Sequence, residues 1–159
     1  MTHGIEIGVI SDTHGRLSLT AREALAGVSL ILHAGDVDRP EILTELAKVA
    51  PVHAVRGNMD RLPGVAELPR SRVVEVGEVL LFMLHDLLDL DLNPAAAGFR
   101  AVITGHTHRP EVSQRGSVLF LNPGSASHPR GVPRPTVARM MLNGAVLTAR
   151  LVELPLDSD

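Results

Sequence analysis

The sequence predicts an α/β fold in which two mixed sheets face each other and helices cover the outside. Three observations point to it. Short apolar runs alternate with helical periodicity through the first half of the chain, a β-α-β-α-β rhythm that signals parallel strands with helices packed over them. The second half instead carries pairs of strand-like runs separated by tight turns, the pattern of hairpins. The 159 residues are 45% hydrophobic, and no repeat, low-complexity stretch or long linker divides them. Residues 1–159 are therefore expected to form one domain with a sizeable core.

The elements follow in order. Ile5–Ile10 is a compact apolar strand that runs into a turn cluster at residues 11–15. Residues 20–26 read as a short helix, and residues 29–33 as a second strand that ends before Gly35 and Asp36. Residues 40–49 are helical: Pro40 is allowed in a first turn, and Ile42, Leu43, Leu46 and Val49 recur near the 3.6-residue period. Residues 52–55 make a third strand, broken by Gly57-Asn58. Ser71–Val76 and Val79–Leu84 flank Gly77-Glu78 as a hairpin. Residues 93–98 read as one short helix, and residues 101–104 as a strand leading into Gly105. Two more hairpins are expected, residues 111–114 with 117–121, and residues 136–142 with 145–154 around Asn143-Gly144. The Pro- and Gly-rich residues 122–135 read as a surface loop.

Composition narrows the function. Aromatic residues make up only 2% of the chain, with no Trp or Tyr, which disfavours base stacking on single-stranded nucleic acid. The formal net charge is −3, and no basic footprint for duplex DNA is visible. With no cysteine, disulfides and thiolate metal sites are impossible, so a metal must be held by oxygen and imidazole. The segment MTHGIEIGVI has no basic n-region, and no membrane span is evident. A cytoplasmic location is the expectation.

Polar clusters follow the expected strands: Asp12-Thr13-His14, Gly35-Asp36, Gly57-Asn58, His85-Asp86 and Gly105-His106-Thr107-His108. Strand ends are where α/β folds present side chains to a common crevice. Asp12 and His14 alternate by two, so in an extended segment they share a side, and His106 and His108 repeat that spacing. The glycines before Asp36, Asn58 and His106 let the backbone turn sharply and bring side chains close to a ligand. Carboxylate with imidazole suits Mn, Zn, Fe or Ni better than calcium. The Asn58 amide oxygen can add a neutral ligand, and one carboxylate can bridge two ions about 3.5–4 Å apart. Taken singly, D-x-H, Gly-Asp and Gly-Asn are ordinary turn formers and helix caps, and a lone His85 is an ordinary hydrogen-bonded side chain. All of these clusters in order, each at a strand terminus, point to a metal site.

On these motifs the chain resembles the calcineurin-like metallophosphoesterase superfamily, whose order is D-x-H, GD, GN, an isolated His and G-H-x-H. The chain reads SDTHG at 11–15, HAGD at 33–36, RGNMD at 56–60, LHD at 84–86 and GHTH at 105–108. The later LNPGS at 121–125 is similar to a segment of the small bacterial and archaeal phosphodiesterases of that superfamily. The resemblance implies a four-layer α-β-β-α sandwich. It also implies two divalent ions, manganese favoured over zinc, iron or nickel. Asp12, His14 and His108 would hold one ion, Asn58, His85 and His106 the other, and Asp36 would bridge them. Many members carry His directly after the GN pair, where it assists the leaving group; here Met59 stands there and can carry no proton. Relatives often have Gly or a nearby His where this chain has Asp86.

The activity expected is hydrolysis of a small or nucleotide-like phosphodiester by a hydroxide bridging the two ions, with Asp36, Asn58 and His106 at the reacting group. Asn58, Arg56 and Arg109 are the candidate substrate contacts, while Arg61 and Arg130 also lie near the motifs. Without a His after the GN pair, the proton for the leaving group would come from water or Asp60, or good leaving groups would be preferred. His3, His33 and His53 are read as structural, and His128 as a distant substrate-site candidate. The partner expected is a small phosphate ester, with no membrane and a homo-oligomer open. The competing classes are a phosphomonoesterase, including a protein phosphatase, and a metal-retaining interaction scaffold. The full ligand set argues against a scaffold that has lost its metals.

Overall fold

The computed structural model describes residues 4–156. The chain runs through β1 (Ile5–Ile10), α1 (Leu19–Ala24), β2 (Leu30–His33), α2 (Pro40–Ala47) and β3 (Val52–Ala54). It continues through β4 (Ser71–Val76), β5 (Val79–Leu84), β6 (Phe99–Ile103), β7 (Glu111–Arg115), β8 (Val118–Asn122), β9 (Thr136–Asn143) and β10 (Val146–Glu153). These strands form two five-stranded sheets, ordered β10-β9-β1-β2-β3 and β4-β5-β6-β8-β7. Both are mixed. In the first, β1, β2 and β3 are parallel and the β9–β10 hairpin adds antiparallel to β1. In the second, β5, β6 and β8 are parallel, with β4 and β7 antiparallel at the edges.

The alternation read in the sequence decides which face each strand buries. Ile7 and Val9 of β1 meet Leu81, Met83, Ala101 and Ile103 of the facing sheet in a shared core. Ile10 and Ile31 point the other way, under Leu25 and Leu46 from the α1 and α2 side. Fully burying each such side chain contributes about 1.5–3 kcal/mol. Ser18 caps α1, its Oγ accepting from Ala21 N. Pro40 opens α2, which buries Ile42 and Leu46, because the missing N–H of a first-turn proline costs no intrahelical bond.

The sandwich has its four layers, but the outermost is thin. The expected helix over residues 93–98 is instead a wound turn. Asn93 accepts from Ala96 N through its side chain and from Ala97 N through its carbonyl. Gly98, at φ +84°, then ends the winding after a single turn, too little to offset helix nucleation. This turn and a 3₁₀ turn, Leu87–Asp89, are the outer cover, with Leu87, Leu90 and Leu92 packed on Phe82, Phe99 and Val102. The surface-loop expectation for residues 122–135 also needs correction. Residues 122–126 are buried, and only from Ser127 onward does the segment become accessible. No helix among the described residues is long and apolar enough to cross a membrane.

Each polar cluster lies directly beyond the C-terminal end of β1, β2, β3, β5 or β6. The parallel pairing places the first three at one end of the first sheet, and β5 and β6 deliver the other two from the facing sheet.

Candidate metal centre

The site begins with backbone kinks that the sequence reading did not anticipate. Asp12, His14, Asp36, His106 and His108 all have positive φ, between 48° and 72°. Asp12 and His14 therefore do not share a side by extended alternation; left-handed turns aim them. Each such turn costs a non-glycine residue on the order of 1 kcal/mol, and strain of this kind concentrates where side-chain placement matters more than stability. The glycines divide the work. Gly35, at φ +103°, makes a turn that favours glycine. Gly57 and Gly105 have ordinary φ and act through close approach: a Cβ on Gly57 would overlap the Asp36 carboxylate, and one on Gly105 would overlap Ser11 Oγ.

The side chains converge. Asp12 is fully buried; its Oδ2 accepts from Ser11 Oγ at 2.6 Å and from His106 N at 3.0 Å. Its Oδ1 is buried with no hydrogen-bond partner. That oxygen lies 3.4 Å from His108 Nε2, 3.8 Å from His85 Nε2 and 3.9 Å from His14 Nε2. Asp36 turns Oδ1 to Met59 N at 2.8 Å and Oδ2 to His85 Nε2 at 3.3 Å and His14 Nε2 at 3.7 Å. Asn58 Oδ1 lies 3.0 Å from His85 Nε2 and 3.2 Å from His106 Nδ1. Two groups of candidate ligand atoms result, Asp12 with His14 and His108, and Asp12 with Asp36 and His85. Five of the seven expected ligand residues fall in these groups, Asn58 adjoins His85 and His106 adjoins Asn58, and Asp12 reaches both groups where the resemblance had placed it in one.

The imidazoles are oriented by partners of their Nδ1 atoms. His108 Nδ1 donates to His128 O at 2.7 Å, His85 Nδ1 to Ala34 O at 2.7 Å, and His14 Nδ1 faces Asp38 Oδ2 at 3.2 Å. Such acceptors hold the proton on Nδ1 and leave Nε2 free to ligate. His14 Nε2 and His108 Nε2 then stand 3.1 Å apart, two lone pairs that repel unless a cation lies against both. This contact and the orphaned Asp12 Oδ1 are what a divalent ion would satisfy, so the residues fit the group. Electrostatics agree. Burial opposes a charge on His85, but its hydrogen bond to Asp36 and the charges of Asp12 and Asp36 carry its pKa up to about 9. Asp36 is held below the usual carboxylate range, despite burial, by the hydrogen bond and charge of His85. The neighbouring Asp12 carboxylate raises His108.

Several supporting residues escaped the sequence reading. Asp60 is fully buried and accepts from Gly57 N at 2.7 Å, Asp38 N at 2.8 Å and Asp36 N at 3.1 Å. It ties the Asp36 and Asn58 turns together, with both oxygens committed to backbone amides. Asn122 donates to Gly105 O at 2.9 Å and accepts from Gly124 N at 2.9 Å, and Ser125 Oγ donates to Asp12 O at 2.7 Å. The N-P-G-S segment therefore stitches the His106–His108 turn to the Asp12 turn. His33 is buried and structural as expected: Gly35 N donates to its Nδ1, and its Nε2 meets Thr13 Oγ1. The His128 ring packs edge-on against His14 at 5.6 Å, and His3 lies outside the described residues. A cleft of about 560 Å³ opens beside Asn58, His85 and His106, with Arg56 and Arg70 on its wall. Arg109 is not on that wall; its side chain packs near Gly131.

Fold and site together define a metal-binding hydrolase. A family model described as the calcineurin-like phosphoesterase superfamily domain matches residues 5–145, and the chain belongs to that superfamily. A probable metallophosphoesterase of Methanothermobacter thermautotrophicus is 39% identical over 158 residues, covering 92% of this chain and 91% of its own. The phosphodiesterase YfcE of Escherichia coli is 34% identical over 145 residues, covering 76% of this chain and 79% of its own. Among solved structures, Vps29 of Chaetomium thermophilum superposes with a TM-score of 0.80 at 23% identity, over 96% of this chain and 89% of that one. At that identity the likeness is one of fold.

Proposed function

We propose that this phosphoesterase is a phosphodiesterase that works with two divalent ions, manganese favoured, on a small phosphodiester. The observation that carries the reading is the Asp12 carboxylate, buried, with one oxygen unpaired and ringed by three imidazole nitrogens. Asp12, His14 and His108 would hold one ion, and His85, Asn58 and His106 the other, with Asp36 between them. When bound, such ions supply a water of lowered pKa and Lewis-acid stabilisation of phosphoryl oxygens.

The chain's own residues do the rest. Met59 N holds Asp36 Oδ1 in place, so Oδ2 keeps its orientation through the reaction. Asn58 is exposed and the His106 side chain is 41% accessible, so these two reach the phosphoryl oxygens from the cleft side. Arg56 on the cleft wall adds a guanidinium donor to the same oxygens. Neither candidate beside Asn58 offers a proton to the leaving group: Met59 carries none, and the Asp60 oxygens are committed to backbone amides. A leaving group that departs as a stabilised anion is therefore favoured. The phosphodiesterase name of YfcE, at 34% identity, supports a diester over a monoester. The 159 residues act as one domain in the cytoplasm.

The test compares bis-p-nitrophenyl phosphate with p-nitrophenyl phosphate, using metal-stripped protein before and after adding Mn²⁺, with Asp36→Asn as control. Metal-restored turnover favouring the diester and lost in the variant is expected. A monoester preference would overturn the diesterase reading, and absent turnover with metal bound would favour a scaffold.

A further inference from the structure

The cleft beside Asn58, His85 and His106 is lined by side chains of both charges. Arg56 N donates to Pro69 O at 2.8 Å, which sets Arg56 next to Arg70. Ser71 pairs with Leu84 across β4 and β5, so Arg70 flanks His85. Arg56 Nε donates to Asp60 O at 3.3 Å, and this bond braces the side chain. The cleft is also lined by Asp86, Asp89 and Asp91. Asp86 Oδ1 accepts from Leu88 N at 3.1 Å, capping the 3₁₀ turn, and its Oδ2 lies 3.5 Å from His106 Nε2. Among the described residues no ion pair joins the arginines to these carboxylates across the cleft.

We infer that this cleft is the subsite for one alcohol of the phosphodiester, and that it selects an alcohol bearing a protonated amine, so that the substrate is zwitterionic. The inference rests on the phosphodiesterase reading of the neighbouring centre. The arginine wall adjoins the candidate ligands and suits the anionic phosphoryl group. The aspartate wall can only accept hydrogen bonds, so what it recognises must donate, and a donor carrying positive charge is favoured. Opposite charges lining one cleft without pairing match a ligand that carries both. The same wall repels a second anionic group, which disfavours polyphosphates. An aromatic base finds no platform, because Phe82 on the cleft floor is only 8% exposed and the chain has no Trp or Tyr.

The experiment compares two near-isosteric diesters, 2-aminoethyl p-nitrophenyl phosphate and propyl p-nitrophenyl phosphate, with Mn²⁺-loaded protein. The aminoethyl ester is expected to have at least tenfold higher kcat/KM, expressed mainly in KM, with the ratio shrinking as salt screens the aspartates. The double variant Asp89→Asn, Asp91→Asn is expected to bring that ratio close to one. A ratio near one in the unaltered protein, or a ratio the double variant leaves in place, would overturn the inference while the diesterase reading stands. If neither ester turns over, the diesterase reading fails, and calorimetry then judges the cleft. O-phosphoethanolamine binding no tighter than propyl phosphate would overturn the amine subsite as well, and tenfold tighter binding would support it.

Discussion

Replacing Asp60 separates a structural carboxylate from a catalytic one. Its two oxygens accept three backbone N–H bonds, from Asp36, Asp38 and Gly57, inside a site where the side chain is fully buried. Burial pushes the carboxyl upward, against the pull of these amides. Hydrogen bonds to a charged group contribute about 1.5–3 kcal/mol each, and an orphaned buried donor costs about 1–3 kcal/mol. Asp60→Asn keeps one acceptor and sets an amide N–H₂ against a backbone donor, a loss of about 2 kcal/mol. Asp60→Ala leaves all three amides without a protein partner, a loss of about 4 kcal/mol or more, a large share of a domain's total. Urea unfolding with linear extrapolation measures both. Because the staple spans the Asp36 and Asn58 turns, metal affinity should fall in the same order. Losses under 1 kcal/mol in both variants, with turnover abolished all the same, would mean that Asp60 acts on the reaction rather than on the frame.

Other outcomes follow from the same geometry. His33 is neutral when folded, with burial the leading cause of a pKa near 4, so its folded pKa lies below the unfolded value. Its stabilising contribution is complete above about pH 6.5 and is lost as pH falls toward 4, roughly 3 kcal/mol in all. The stability advantage of the unaltered protein over His33→Gln should shrink by that amount between pH 7 and 4, and a pH-independent difference would refute it. His85, carried up to about 9 despite burial, must give up its proton to ligate, so apparent Mn²⁺ affinity should climb as pH rises from 7 toward 9. Flat affinity over that range would refute a proton on His85 that competes with the metal. Met59→His should raise kcat for an alkyl leaving group at least tenfold more than for p-nitrophenolate; equal gains would show that leaving-group protonation does not limit the reaction.

Much of the frame was legible because local signals agreed with the tertiary outcome. Ile5–Ile10 needed only its apolar run, and the Gly77-Glu78 turn only its flanking strands. The convergence of the candidate ligands was legible for a related reason: each cluster sits at a strand end, and parallel strands deliver those ends to one place. What failed depended on information the local sequence does not carry. Residues 93–98 look helical because three alanines follow Asn93-Pro94, yet Gly98 stops the winding. Asp60 looked like an available acid because its commitment to Asp36, more than twenty positions away, is a long-range contact. Asn122 and Ser125 looked like loop residues for the same reason. Arg70, Asp89 and Asp91 sit outside every motif, and only the approach of β4 and the 3₁₀ turn to His85 and His106 makes them cleft walls.

The most direct test of the two-ion reading is a titration of metal-free protein with Mn²⁺, following bound metal and bis-p-nitrophenyl phosphate turnover together. Two equivalents bound per chain are expected, with turnover emerging as the second is taken up. Full turnover at one equivalent, or none after two, would contradict a centre in which Asp12 and Asp36 serve a pair of ions.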